Sequence, residues 1–178
     1  MEQEAASLAH LEALRTDTRD EIKRRIQQRD QYSMQLTVAL GATLVGSFSA
    51  NGTYRLFMLA PLVAIYFTAL ILYSYRIHDV LAKYLREQIE PEFSKRCGVP
   101  TDMEWETWYK ASRLMIGIRR SFFVWEMWIV NLLSLVFVWY KEWSRGTTSC
   151  ATLVVLGFAT VLYVVLGLWT TSLLQRSV

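Results

Sequence analysis

Two cysteines, two histidines and three prolines are all that 178 residues hold of the side chains that most often staple, ligate or break a fold. There is no HExxH, no CxxC pair, no Walker lysine loop and no glycine-rich phosphate fingerprint, so metal and nucleotide chemistry have no support in the sequence, and no cofactor is expected. Charge is scarce and unevenly placed: 20% of residues are charged, and residues 34–50, 56–75 and 151–174 contain none. What fills the space is apolar. Side chains of that kind make up 53% of the chain, about 57% once its 8 glycines are added, against about 45–50% in an ordinary soluble domain. A soluble enzyme of this size would alternate polar and apolar positions, so the composition excludes that class and points to a second, apolar solvent.

Uncharged runs locate four helical spans. The first is Met34–Ala50, short at 17 residues and rich in small or hydroxyl side chains. The second, Leu56–Tyr75, has 20 residues, enough at about 1.5 Å per residue to cover roughly 30 Å of hydrocarbon. The third, Ser121–Tyr140, is apolar and aromatic apart from Glu126 and Asn131, and the fourth, Ala151–Leu174, is the most apolar. Connections Asn51–Arg55 and Lys141–Cys150 are short, so the expected fold is an all-α integral membrane protein with four transmembrane helices as two hairpins. The parts are a helical segment 1–33, a hairpin 34–75, a helical segment 76–120, a hairpin 121–174 and a tail 175–178.

Residues 1–30 contain no apolar signal-peptide core, which places the amino terminus in the cytoplasm. Lys and Arg counts agree: 6 in 1–33, 9 in 76–120 and 1 in 175–178 fall on one side, whereas Arg55, Lys141 and Arg145 fall on the other. Such an imbalance puts both termini in the cytoplasm. Phe122, Phe123, Trp125 and Trp128 near one end of the third span, with Trp139, Tyr140 and Trp143 at the other, read as interfacial belts. In this topology Cys97 and Cys150 lie a membrane thickness apart and cannot bond, which excludes a quinone-linked thiol oxidase, whose chemistry needs paired cysteines.

Ile77, Val80, Leu81, Tyr84, Leu85 and Ile89 continue the second span at helical spacing as far as Pro91, with Asp79 and Lys83 as an i, i+4 pair. Helix starts are expected at two capping boxes, Thr18-Arg19-Asp20-Glu21 and Thr101-Asp102-Met103-Glu104. Each half then reads as a cytoplasmic helix, a span, an outer turn and a span, a parallel structural echo.

Glu126 is the charged residue inside an expected span, costly there unless it meets water, a partner or the bundle interior. Its two readings are a carboxylate lining a cation or proton pathway and an ion pair with Arg119. Asn131 either bonds between helices or faces a wet lumen. Thr37, Thr43 and Ser47 in the first span either pack closely, with Ala39, or line a narrow polar pore. Lys23, Arg24, Arg25, Arg76, Arg119 and Arg120 gather at span ends, as topogenic charges or as a site for a phosphate-bearing signal or anionic lipid. His78 beside Asp79 points about 100° away on a helix, a poor acid–base pair.

The Thr18-Arg19-Asp20-Glu21 box, the paired spans and the segment Arg76-Ile77-His78-Asp79-Val80-Leu81-Ala82-Lys83-Tyr84-Leu85 together resemble small prokaryotic membrane effectors of antiphage defence, including the SLATT group, whose hairpins are flanked by cytoplasmic helices. The likeness is one of layout across most of the chain, and four spans depart from the usual two of SLATT proteins. It implies a homo-oligomeric channel that depolarises the inner membrane when a partner enzyme's nucleotide or oligonucleotide signal binds the cytoplasmic helices. The expectation is therefore an oligomeric ion-permeable effector, a tetramer by preference, since closed rings are common and four spans alone leave no conduit. The alternatives are a non-conducting anchor docking a soluble partner through 76–120, and a small proton-coupled transporter using Glu126. A membrane enzyme has the least support.

Overall fold

The computed structural model describes residues 2–49, 53–98, 100, 114–146 and 149–175, with side chains from 5–49, 53–98, 100, 120–146 and 149–173. It is all-helical, with no strand among the described residues. Helix α1 is Glu2–Phe48; a 3-10 turn, Tyr54–Met58, leads into α2, Leu59–Tyr84; a π turn, Leu85–Ile89, leads into α3, Glu90–Cys97; α4 is Leu114–Ser144 and α5 is Cys150–Gln175. Three of these stretches are long and apolar enough to cross a membrane: Tyr54–Cys97, Arg120–Ser144 and Cys150–Leu173, the last the most apolar.

The expected first span, Met34–Ala50, does not reach that standard on its own. Any eighteen-residue stretch of α1 that ends at Phe48 must take in Gln31 and Gln35, which offset its leucines and valines. The helix start expected at Thr18 is also absent. Ala5, Ala6, Leu8, Ala9, Leu11, Ala13 and Leu14 are strong helix formers with neither Gly nor Pro until Gly41, so α1 runs straight through the motif. The Thr18 hydroxyl donates to the Leu14 carbonyl at 2.7 Å instead of capping. The second capping box, Thr101–Glu104, lies outside the described residues.

Pro91 does not end the helical run that follows α2. A proline inside a helix lacks an N–H and strikes the carbonyl one turn before it. Here the wider π turn opens the helix just ahead, and Pro91 enters in the first turn of α3, the position where a missing N–H costs least. The stop comes at Gly98, whose φ of 69° is the left-handed conformation that glycine tolerates, with its N–H donating to the Ser94 carbonyl at 2.8 Å. Lys83, expected to pair with Asp79, lies 3.9 Å from Glu87, one turn further on, and Asp79 has His78 Nδ1 at 3.8 Å.

The chain divides into two compact units. Unit 1 comprises Met1–Asp30 and Tyr73–Ile118. Its core is Ile22, Leu85 and Ile89, with Leu14, Ile26 and Leu81 packed on it. Arg15 stacks over Phe93 at 4.7 Å and Arg29 over Tyr75 at 4.4 Å, Ser74 donates to the Arg25 carbonyl at 3.1 Å, and Arg96 bonds Ser7. These contacts set the first part of α1 antiparallel to the second part of α2 and α3.

Unit 2 comprises Gln31–Leu72 and Arg119–Val178. Ala64, Ile65, Leu72, Val124, Met127 and Tyr163 form its core. Phe48, Phe57 and Phe137 meet in a ring cluster with centroids 5.2–6.1 Å apart, tying α1, the 3-10 turn and α4 together. Ser149 caps α5, its hydroxyl accepting the Thr152 N–H at 3.2 Å. Cys97 and Cys150 are both free and exposed.

Candidate functional site

The latch and the buried polar layer of unit 2 follow from which face of α4 turns inward. Val124, Met127, Asn131, Ser134, Val138 and Glu142 are the buried residues of that helix, spaced by three and four, so one stripe carries the packing. Two Trp–Thr bonds fix the register of α4 against α5. Trp128 Nε1 donates to Thr171 Oγ1 at 3.0 Å and Trp139 Nε1 to Thr160 Oγ1 at 3.1 Å. The two tryptophans are as far apart in sequence as the two threonines, which an antiparallel pair in constant register requires. Below Trp128 the indole lies flat on Gly167, where an added Cβ would come within 3.1 Å of the ring, so close approach is the reason for glycine at that position.

One end of the stripe is a latch. Glu142 is 2% exposed, and its Oε1 accepts from the Tyr54 hydroxyl at 2.5 Å and from Arg55 Nε at 2.7 Å. Arg145 stacks over the Tyr54 ring at 4.7 Å. A cleft of about 260 Å³ opens beside the pair, walled by Met58, Ala151, Thr152, Val155 and Leu156. Tyr163 joins the same end from α5, its hydroxyl donating to the Met58 carbonyl at 2.8 Å. Buried charge needs a partner and hydrogen bonds, and Glu142 has both. This carboxylate escaped the sequence reading because it stood in the connection after the third span. The available signal was its spacing of eleven residues from Asn131, which returns to the same helix face after three turns.

Further along the stripe is a polar layer. Asn131 is 3% exposed, and neither of its amide atoms has a hydrogen-bond partner. Ser134, Thr68 and Thr170, at 1%, 0% and 0% exposure, likewise have unbonded hydroxyls. The sequence reading singled out Asn131 alone of these four.

Glu126 faces elsewhere. At about 100° per residue it lies roughly 120° round α4 from the centre of the buried stripe. Its neighbours on that side are Phe122, Ile129 and Leu133, exposed at 62%, 53% and 60%, and its own side chain is half-buried. No hydrogen bond or ion pair reaches it among the described residues. The side chain of Arg119, its proposed partner, lies outside them. Among the described residues no group of three or more His, Cys, Asp or Glu is placed to hold a metal.

The remaining candidates do not converge. In α1, Thr37 is exposed, Thr43 half-buried and Ser47 buried, and each hydroxyl donates to its own helix: Thr37 to the Ser33 carbonyl at 3.1 Å, Thr43 to Leu40 at 2.8 Å and Ser47 to Thr43 at 2.6 Å. In unit 1, Lys23 pairs with Asp20 at 3.1 Å, Arg24 with Glu21 at 3.4 Å and Arg25 with Glu21 at 2.5 Å, while Arg76 is exposed. Arg120 belongs to unit 2, half-buried and engaged.

The class that fold and site define is an all-helical chain with three helices long and apolar enough to cross a membrane, one of which carries a carboxyl on its outer flank. No family model, no curated protein and no solved structure matches the chain.

Proposed function

We propose that the chain is a subunit of an oligomeric, ion-permeable effector of the cell inner membrane, with four spans as two hairpins and both termini cytoplasmic. The observation that carries this reading is Glu126. A carboxyl on an exposed apolar helix face is expensive in hydrocarbon unless something polar covers it. In a closed ring each copy turns the same face toward a common axis, so one Glu126 meets the others and water rather than lipid. Phe122, Ile129 and Leu133 then pack between neighbouring copies, and the carboxyls form a ring that favours cations. The chain's layout, resembling antiphage effectors, makes unit 1 the receiver of a nucleotide or oligonucleotide signal. Its candidate contacts there are Lys23, Arg24, Arg25 and Arg76; Arg119 and Arg120, also candidates, belong to unit 2, and a soluble partner enzyme is the source of the signal.

The test is cation flux from liposomes holding the purified full chain, with short oligonucleotides and cyclic nucleotides as probes. Flux that falls at least tenfold in Glu126→Gln, with the particle mass unchanged, supports the reading. Flux indifferent to Glu126→Gln rejects it. A second reading, a non-conducting anchor docking a soluble protein, draws on one observation: Lys23, Arg24 and Arg25 already pair with acids of their own helix, which lowers their attraction for a phosphate. Co-purification of one partner without current favours it. Substrate uptake abolished by Glu126→Gln would instead mark a proton-coupled transporter.

A further inference from the structure

The hydroxyls of unit 2 fall into two groups. Thr160 and Thr171 donate back to the carbonyls of Leu156 and Gly167 at 2.8 and 2.9 Å, and Ser47 does the same toward Thr43. That is the usual resort of a hydroxyl in an apolar helix, since the carbonyl one turn earlier is always within reach. Thr68, Ser134 and Thr170 do not take it: their oxygens are buried and unbonded, as are both amide atoms of Asn131.

Three of these groups, Thr68, Asn131 and Thr170, lie at nearly one depth. Counting from the latch, where Arg55 meets Glu142, Thr68 lies thirteen residues on, through the 3-10 turn and into α2, and Asn131 eleven along α4, a difference of about 3–5 Å at 1.5–2 Å per residue. Thr170 adjoins Thr171, which is bonded to Trp128, and this sets it within about 3 Å of the level of Asn131. Ser134 is one turn nearer the latch. Three helices thus deliver unmet polar atoms to one layer, with Met127 at 0% and Val138 at 0% exposure closing the stripe on either side.

The chemistry of the unmet atoms selects the occupant. Asn131 Nδ2 and the three hydroxyl protons need acceptors, while Asn131 Oδ1 and the hydroxyl lone pairs need donors. A metal cation satisfies only the second set and opposes the first, and no carboxylate stands on the stripe at this depth to balance it. Water satisfies both.

We propose that this layer is a hydration site, a small cluster of ordered water molecules bridging Thr68, Asn131, Ser134 and Thr170 inside unit 2. Each water there makes the two to four polar contacts that hold buried water in place. The site belongs to the interior of a single chain and stands whether or not Glu126 meets a second copy. It makes this layer the wet point of an otherwise apolar bundle, the place where a small hydrogen-bonding solute finds partners.

The experiment uses the full chain in liposomes, one sample labelled with ¹⁵N-asparagine, which marks only Asn51 and Asn131, and a second uniformly ¹⁵N-labelled so that the Met127 and Val138 backbone amides are read; Asn51→Gln assigns the asparagine pair. Water-edited solid-state NMR then follows magnetisation from water to Asn131 Nδ2. Transfer severalfold faster than to the backbone amides of Met127 and Val138 is expected; transfer as slow as theirs overturns the proposal. Because Asn131→Leu risks misfolding, Thr68→Val and Thr170→Val provide the second arm, keeping side-chain shape while deleting the hydroxyl. A hydrated layer predicts slower transfer to Asn131 and a lower thermal midpoint for each. A higher midpoint, the result of removing an unmet polar group from a dry core, overturns it. Exchanging sodium and potassium for choline leaves the midpoint unchanged if water is the occupant, whereas a saturable rise with either metal ion assigns the site to a cation and overturns the water reading.

Discussion

In unit 1 charged side chains pair along one helix in view of solvent, Lys23 with Asp20 and Arg96 with Glu92. In unit 2 Arg55 reaches a carboxylate 87 residues away that is almost wholly buried. The apolar groups differ in the same sense. The core cluster of unit 1 has three buried residues, whereas that of unit 2 has six, and unit 2 leaves many large apolar side chains exposed, Trp125, Leu132 and Phe158 among them. The contrast teaches that the two units are built for different solvents. In water a buried leucine is held by the hydrophobic effect and an exposed ion pair counts for little. In lipid the hydrophobic term between helices vanishes, and close packing and polar contacts take over.

Truncation sharpens this comparison. Leu85→Ala, in the unit 1 core, loses both transfer energy and packing and is expected to cost about 2–5 kcal/mol, read from the urea midpoint of the full chain in nanodiscs. Met127→Ala, equally buried in unit 2, loses packing alone and is expected to cost on the order of 1–2 kcal/mol. A Met127→Ala cost equal to that of Leu85→Ala would break the two-solvent account. Gly167→Ala presses a methyl to 3.1 Å from the Trp128 ring and is expected to cost about 1 kcal/mol. Trp128→Phe in the same background relieves most of that cost, which a double-mutant cycle measures. Lys23→Gln removes an exposed i, i+3 pair and is expected to shift stability by less than about 0.5 kcal/mol.

The apolar helices were legible because charge is nearly excluded from them: the uncharged runs at 56–75 and 151–174, and the run at 121–140 with Glu126 as its one charge, match the three long apolar helices. What was not legible depended on partners. Nothing local distinguishes Thr68 and Thr170, buried and unbonded, from Thr160 and Thr171, bonded to their own helix, because an apolar helix has no hydrophilic face to declare its orientation. Glu142 looked like a turn residue until Arg55 and Tyr54 were seen beside it. Pro91 and Thr18 misled for a related reason: proline and capping signals describe a helix end in isolation, and here a π turn and a strongly helical leader override them. Glu126 stood out in the sequence as the charge inside an expected span, but its direction, off the buried stripe of α4, needed the packed helix.

The central claim is that Glu126 faces another copy of this chain. Its most direct test is native mass spectrometry of the full chain released from nanodiscs. The account predicts a closed assembly of three or more copies, four by preference, that dissociates when Leu133→Arg places a charge on the same face as Glu126. A particle that remains monomeric across concentration, with Glu126 paired inside its own chain, would contradict it.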